Sequence, residues 1–435
     1  MGDDLLEISD RILTGRLSIE DHSPLSIRGG TTLHEVGDGV AFVESFGNVT
    51  ALLAGDSLLL IDAGGILHAG EVHGQIRRWS VAPLHTAVYT HGHVDHVFSV
   101  PLFEAEEHRQ SPRVIAHENV PRRFDRYKLT HGYNGRINQR QFQLDAPLFP
   151  DEFRYPDETY VDDLTIRVED LQVELHHDKG ETDDGTWAWF PERKLLCTGD
   201  LFIWAAPNCG NPQKVQRFPW EWARALRKMS VLGAELMLPG HGLPIAGVER
   251  IRLVLSQTAE LLESLHSQAL EMMNAGARLD ELIHTVRVPD HLQGQPWLQP
   301  IYDDPEFIVR NLWRLYGGWY DGNPATLKPA PERALARELA DLAGGAGALT
   351  ERALELSATG DHRLACHLIE FAALSDSDRG MGSDPGVHRA RAQIYRDRAR
   401  AERSLMAKGV YRWAQSESTR ALADETDGTD APVDS

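Results

Sequence analysis

Between Tyr89 and Val100 the chain reads "YTHGHVDHVFSV", which places His91, His93, Asp95 and His96 in a His-x-His-x-Asp-His pattern. Imidazole nitrogens and carboxylate oxygens are ordinary protein donors to divalent metals. Three imidazoles and a carboxylate in so short a stretch are hard to explain by packing. In a turn that follows a strand, alternate positions face one centre while Asp95 and His96 face a neighbouring one. That pattern supplies ligands for two ions roughly 3.5–4 Å apart. Further on, Asp200 closes "CTGD" and His241 stands in "PGHG". Asp200 reads as a carboxylate bridging the two ions. The glycines on either side of His241 let the backbone come close while the ring reaches a metal.

Strands must position these residues. The β-rich run from Ser57 to Ile61 stops at Asp62, and "LHTAVYT" from Leu84 ends directly before His91. "LTIRVEDLQVELHH" alternates from Leu164 and runs into "DKGETDDGTWAWF". "KLLCTGD" from Lys194 terminates at Asp200, and "AELMLPGHG" from Ala234 at His241. Loops at the carboxyl ends of strands are where layered α/β folds carry their sites. From Val248 the periodicity turns helical, and from Pro305 to Leu422 nearly everything is Ala-, Leu- and Arg-rich helix with glycine breaks. The expected plan is an extension over 1–30, an α/β domain over 31–250, a helical linker over 251–304 and an all-helical domain over 305–422. The acidic end, 423–435, is almost without apolar residues and reads as disordered.

Composition narrows the classes. Apolar residues at 42% and charged residues at 25% are ordinary for a soluble globular chain of 435 residues. A net charge of −21 argues against a nucleic-acid partner, which requires a basic footprint. No long apolar run suits a membrane span. The start "MGDDLLEISD" lacks the basic and apolar segments of a signal peptide. Cys197, Cys209 and Cys366 suggest no disulfide framework and fit a reducing compartment. The cytoplasm is the expected location.

"THGHVDH", "CTGD" and "PGHG", in that order and each after a strand, closely resemble the metallo-β-lactamase superfamily. The resemblance implies an αββα sandwich with a zinc pair, held by His91, His93, Asp95, His96, Asp200 and His241. Most of that superfamily places a further histidine ligand in the turn where this chain has "HHDKGETDDGTW". The slot holds Glu181, with Asp184 as the rival, and His177 aligns with a non-ligating histidine of the turn. An oxygen donor there also admits manganese or iron beside zinc. The glutamate points toward the alkyl sulfatases, which carry such a site and an appended helical dimerisation domain. Arg310–Pro329 resembles the start of that domain, "ERALELSATGDHRLACHLIEFAALSD" its body, and "HENVPRRFDRYKLTHGYNGRINQRQF" an insertion over the pocket. The resemblance thus implies a homodimer through the C-terminal helices. Secreted alkyl sulfatases carry a signal peptide and a sterol-carrier-like domain; without these, an intracellular relative with a smaller or different small-molecule substrate is expected.

The segment "PNCGNPQKVQRF" after Asp200 contains Asn208, Asn211, Lys214 and Arg217. A sulfate-like oxyanion needs several cationic donors, which Arg217 with Lys214 would supply unless they are merely solvated loop charges. Tyr127 with Arg122, Arg123 or Arg126 would form a lid, unless it is structural. Trp187, Trp189, Trp204, Trp220 and Trp222 read as core. A bound metal pair would lower the pKa of water to about 7, with Asp95 and Asp200 expected to orient that water and accept its proton. The expected activity is hydrolysis of a small sulfate ester, with carboxylic-ester, lactone or thioester hydrolysis as the alternative. A di-iron redox protein would need a flavodoxin-like domain, and the helical region has no βαβ pattern. A non-catalytic dimeric scaffold would not need an intact ligand set.

Overall fold

The computed structural model describes residues 4–22, 30–106, 111–375, 382 and 384–428. The chain forms two compact units, one of Met1–Asn134 with Phe149–Trp319 and one of Gly135–Leu148 with Tyr320–Ser435. The first unit opens on α1 (Leu5–Leu13), whose Leu5 and Ile12 enter the main core. The expected amino-terminal extension therefore contributes packing at these positions.

Sheet one contains β1 (Thr32–Gly37), β2 (Val40–Glu44), β3 (Val49–Ala54), β4 (Ser57–Ile61), β5 (Leu84–Val88), β6 (Arg113–His117) and β7 (Glu158–Tyr160), paired in that order. It is antiparallel from β1 to β4 and parallel from β4 to β7. Helices α2 (Ala69–Trp79), α3 (Val100–Glu104), α4 (Asn119–Leu129) and α5 (His131–Phe142) lie between the parallel strands in the chain. Both faces of this sheet are apolar, as in parallel sheets covered on two sides. Phe42, Leu52, Leu59, Ile61, Val88 and Ile115 point into one core, and their neighbours Ala41, Val43, Ala51, Leu60 and Ala87 into the other. The period of two along each strand is the reason.

Sheet two contains β8 (Asp163–Val168), β9 (Leu171–His177), β10 (Thr186–Phe190), β11 (Leu195–Gly199), β12 (Leu236–Pro239) and β13 (Ile245–Ala246), in the spatial order β13-β12-β11-β10-β9-β8. Only β11 and β12 pair in parallel. Val173, Leu175, Trp189 and Leu196 share a core with the inward residues of sheet one. Helices α6 (Pro219–Ser230) and α7 (Val248–Asn274) add Trp222, Leu226, Val254 and Leu262 to it. β10 and β11 are buried along their whole length, so neither face is left to solvent. The result is a mixed α/β sandwich of the expected kind.

After α8 (Leu279–Thr285) and α9 (Asp290–Gln293), α10 (Pro305–Gly317) still belongs to the first unit and packs on α7 and α8. The longer segment of the second unit runs from Tyr320. Its helices are α11 (Pro324–Leu327), α12 (Glu332–Ala343), α13 (Ala346–Ala358), α14 (His362–Ser375), α15 (Pro385–Ala401) and α16 (Leu405–Gly428). Ala353, Ala365, Ile369, Ala372 and Ile394 form its small-residue core. Buried Arg391 pairs there with Glu370 at 2.7 Å. α16 runs past the expected start of the acidic tail, and residues 429–435 lie outside the described residues. Among the described residues no helix is long and apolar enough to cross a membrane.

Candidate metal centre

The strand ends converge within the first unit. His91, His93 and Asp200 bring ligand atoms within 4.8 Å of one another, and so do Asp95, His96 and His241. Asp200 joins the two groups. Its Oδ2 stands 3.5 Å from His91 Nε2 and 3.3 Å from His241 Nε2, and its Oδ1 3.4 Å from His96 Nε2. Asp95 Oδ2 faces His241 Nε2 at 3.4 Å. Gly240 permits this approach, because a Cβ there would lie 2.4 Å from Asp200 Oδ1. Gly242, at φ +87°, fits against Trp204 in a conformation that suits glycine.

A layer of hydrogen bonds behind the rings fixes which nitrogen faces inward. Asp62 follows β4 at φ +64° and accepts from Thr90 N–H at 2.7 Å and from the Thr90 hydroxyl at 2.8 Å. Its Oδ2 also meets His96 Nδ1 at 2.9 Å. The Thr90 hydroxyl lies 3.0 Å from His91 Nδ1, and His241 Nδ1 bonds the Phe46 carbonyl. Each Nδ1 is therefore engaged, which leaves Nε2 directed at the centre, the arrangement that orients metal-binding histidines. His91 Nε2, His96 Nε2 and Asp200 Oδ1 are buried with no hydrogen-bond partner. Buried polar atoms normally have one, and a divalent cation fits this donor set. Burial pushes the Asp95 carboxyl up, but His96 and His241 outweigh it and hold it at about 2. Burial lowers His96, yet Asp200, Asp62 and Asp95 carry it up to about 9.

Residues 43–241 match the metallo-beta-lactamase superfamily and residues 278–420 match alkyl sulfatase dimerisation. The two follow one another as they do in the chain's architecture. The chain thus carries a metallo-beta-lactamase superfamily domain followed by an alkyl sulfatase dimerisation region. It is 28% identical over 356 residues to a linear primary-alkylsulfatase of Pseudomonas sp., covering 76% of this chain and 67% of the relative. An (R)-specific secondary-alkylsulfatase of Pseudomonas sp. is 25% identical over 327 residues, covering 68% of this chain and 48% of that one. The solved structure of a stereoselective inverting sec-alkylsulfatase from Pseudomonas sp. superposes with a TM-score of 0.78 at 20% identity, over 90% of this chain and 65% of the other. The chain thus spans about two thirds or less of these relatives' length, and the superposition is a likeness of fold.

Within this scaffold the two rival carboxylates have different partners. Glu181 is buried beside the first cluster, its Oε1 3.8 Å from His93 Nδ1. Asp184 turns away into a buried two-pronged pair with Arg123, at 2.6 Å to Nε and 2.9 Å to Nη2, and accepts from Gly92 N–H at 3.2 Å. A carboxylate with both oxygens so engaged braces the His91 turn; neither Asp184 nor Glu181 is in the two three-residue clusters. His177 bonds the Gly185 carbonyl and stacks on His117 at 3.6 Å between ring centroids.

The residues read as substrate contacts also divide. Arg217 is buried and donates through Nη1 to the Glu181 backbone carbonyl at 2.8 Å and to Glu181 Oε1 at 2.5 Å. Asn208 donates to the same Oε1. Both therefore hold Glu181, and the anion-binding role expected of Arg217 gives way to this one. Tyr127 is buried with its ring against Phe149 and Phe153, which corrects the lid reading: its aromatic body is core. Arg123 is committed to Asp184, and exposed Arg122 bonds Asn119. Lys214 is partly exposed, and Asp95 and Arg126 act on its charge. Burial pushes its ammonium down to about 8. Asn211 accepts from the Gln213 N–H at 3.1 Å. Trp204 and Trp222 are fully buried, whereas Trp220 is 42% exposed and stacks on His266. Asp62 and Thr90 were missed as supports. Asp62 had one signal, an acid ending a wholly apolar strand, and Thr90 none.

Proposed function

We propose that this protein is a dinuclear metal-dependent hydrolase that cleaves small sulfate esters. The observation that carries this reading is the double cluster around Asp200, with its buried, unpartnered His91, His96 and Asp200 atoms. His91, His93, Glu181 and Asp200 would hold one ion, and Asp95, His96, His241 and Asp200 the other. A bound metal pair supplies Lewis-acid charge and acidifies water toward neutrality. Zinc suits the imidazole-rich set, and Glu181 leaves manganese or iron compatible with it. Asp95 and Asp200 would orient the attacking water and accept its proton. Lys214 is the cation we assign to the sulfate group, since Arg217 is spent on Glu181. The alkylsulfatase relatives and the matched dimerisation region support a sulfate ester as substrate and a homodimer formed through the C-terminal helices. The three unpaired cysteines suit a reducing compartment such as the cytoplasm.

The test is sulfate release. Purified protein, analysed for metal, is offered short alkyl sulfates beside lactones, carboxylic esters and thioesters. Sulfate release that disappears on chelation and returns with zinc or manganese is expected. Turnover confined to the carbonyl substrates would overturn the sulfatase reading.

A further inference from the structure

The ten-residue loop from Asn208 to Arg217 has no helix or strand, yet both of its ends grip one side chain. Asn208 donates to Glu181 Oε1, and Arg217 donates to that oxygen and to the Glu181 backbone carbonyl. All three residues are at most 5% exposed. A loop left to itself would not hold two buried donors on one carboxylate, because its conformational entropy opposes it. Both ends are fastened to the same element, α10 and the turn that opens it.

At the first end, Gly210 N–H donates to Asp303 Oδ2 at 2.6 Å. Gly210 also presses on the helix backbone, since a Cβ there would lie 2.1 Å from the Phe307 carbonyl carbon. At the second end, Asn311 bonds both backbone groups of Arg217: its Oδ1 accepts from Arg217 N–H at 3.2 Å, and its Nδ2 donates at 3.1 Å to the Arg217 carbonyl, which also accepts from Gln216 Nε2 at 2.9 Å. One amide side chain thus replaces a neighbouring strand. Gln216 adds a 2.8 Å bond to Asn311 Oδ1. Asp303 is fully buried and Asn311 nearly so, and neither belongs to a metal cluster.

We propose that α10 is a positioning clamp for Glu181, in which Asp303 and Asn311 set the affinity of the His91/His93 ion through Asn208 and Arg217. This rests on the reading of Glu181 as a ligand of that ion. Partners that orient a metal ligand typically account for about 10–100-fold in metal affinity. Because α10 lies within the stretch that matches alkyl sulfatase dimerisation, that region completes the metal site as well as forming helices.

The experiment titrates metal-free full-length protein with Co²⁺ and follows the d–d absorption of the two sites. Glu181→Gln identifies which equivalent depends on the carboxylate. Asn311→Ala and Asp303→Ala should each weaken that same equivalent about 10-fold or more and shift its bands, leaving the other equivalent in place. Arg310→Ala, on the exposed side of the same helix, should change neither. If Asn311→Ala does not fold, Asn311→Asp keeps the size and the acceptor but loses the donor to the Arg217 carbonyl. It should weaken the same equivalent by a smaller factor. Wild-type binding of both equivalents in the Asn311 and Asp303 variants, or equal weakening of both, overturns the clamp. Should Glu181→Gln itself keep both equivalents, the ligand reading fails first. Loss in Glu181→Gln without loss in Asn311→Ala sinks the clamp alone.

Discussion

Asp184→Asn separates a brace from a ligand. Asp184 has no exposed surface and Arg123 is 3% exposed, so their pair lies in the low-dielectric interior. The guanidinium spans both carboxylate oxygens at 2.6 and 2.9 Å. Removing one partner of such a pair costs about 3–5 kcal/mol, and Arg123 keeps its contact with Asp183 Oδ1 at 2.5 Å. Asparagine keeps the shape and one acceptor, so the lower figure, about 3 kcal/mol, applies. At about 2–4 °C per kcal/mol for a unit of this order of size, Tm should fall by about 6–12 °C. Burial raises the Asp184 carboxyl, but Arg123 outweighs it and holds it at about 2, below its ordinary 3.8. A carboxyl lowered on folding stabilises fully above its ordinary pKa and loses that contribution as pH falls toward 2. The full difference therefore shows between pH 5 and 8 and shrinks in acid. The assay is thermal unfolding of metal-loaded protein, with metal content measured alongside. Both ions should remain. Replacing both partners by apolar residues, Arg123→Met with Asp184→Leu, should recover much of the loss, because neither buried charge then remains. A normal Tm with one ion missing would refute the brace and make Asp184 a ligand.

Other outcomes follow from the same geometry. His91→Ala should lose one of two ions and Asp200→Ala should weaken both, by elemental analysis; a single ion in fully loaded wild type would contradict the two-centre reading. Lys214→Ala should raise KM for alkyl sulfates more than it lowers kcat. In the wild type, KM should climb above about pH 8 as the ammonium, pushed down by burial, gives up its proton; a flat KM from pH 7 to 9 removes Lys214 from anion binding. His96 sits at about 9 without metal, so Co²⁺ binding should release a proton and strengthen with rising pH below that value. Buffer-independent binding enthalpies would exclude the proton release. The full chain should sediment as a dimer at micromolar concentration, and a monomer would remove the homodimer proposal.

The residues His91, His93, Asp95, His96, Asp200 and His241 could be read directly from sequence because each follows a short apolar strand. Strand patterns are local, and so is the chemistry of a donor triplet in one turn. The sandwich was also legible, since Leu58–Ile61 is apolar on both faces. The surroundings of Glu181 and Asp184 were not. They are three residues apart in one turn, and only the packed structure shows Arg123 claiming one while Asn208 and Arg217 take the other. Arg217 read as a free cation for the same reason: sequence gives its charge but not the partner that neutralises it. Helical texture alone cannot tell a helix that packs on α7 and α8, as α10 does, from one that belongs to another core. Asp303 and Asn311 left no local signal at all, since their partners lie 93 and 94 residues away in the chain. Sequence alone determined which donors stand at the strand ends. Tertiary structure decided which charges are already spent on one another, because pairing of buried groups depends on contacts far apart in the chain.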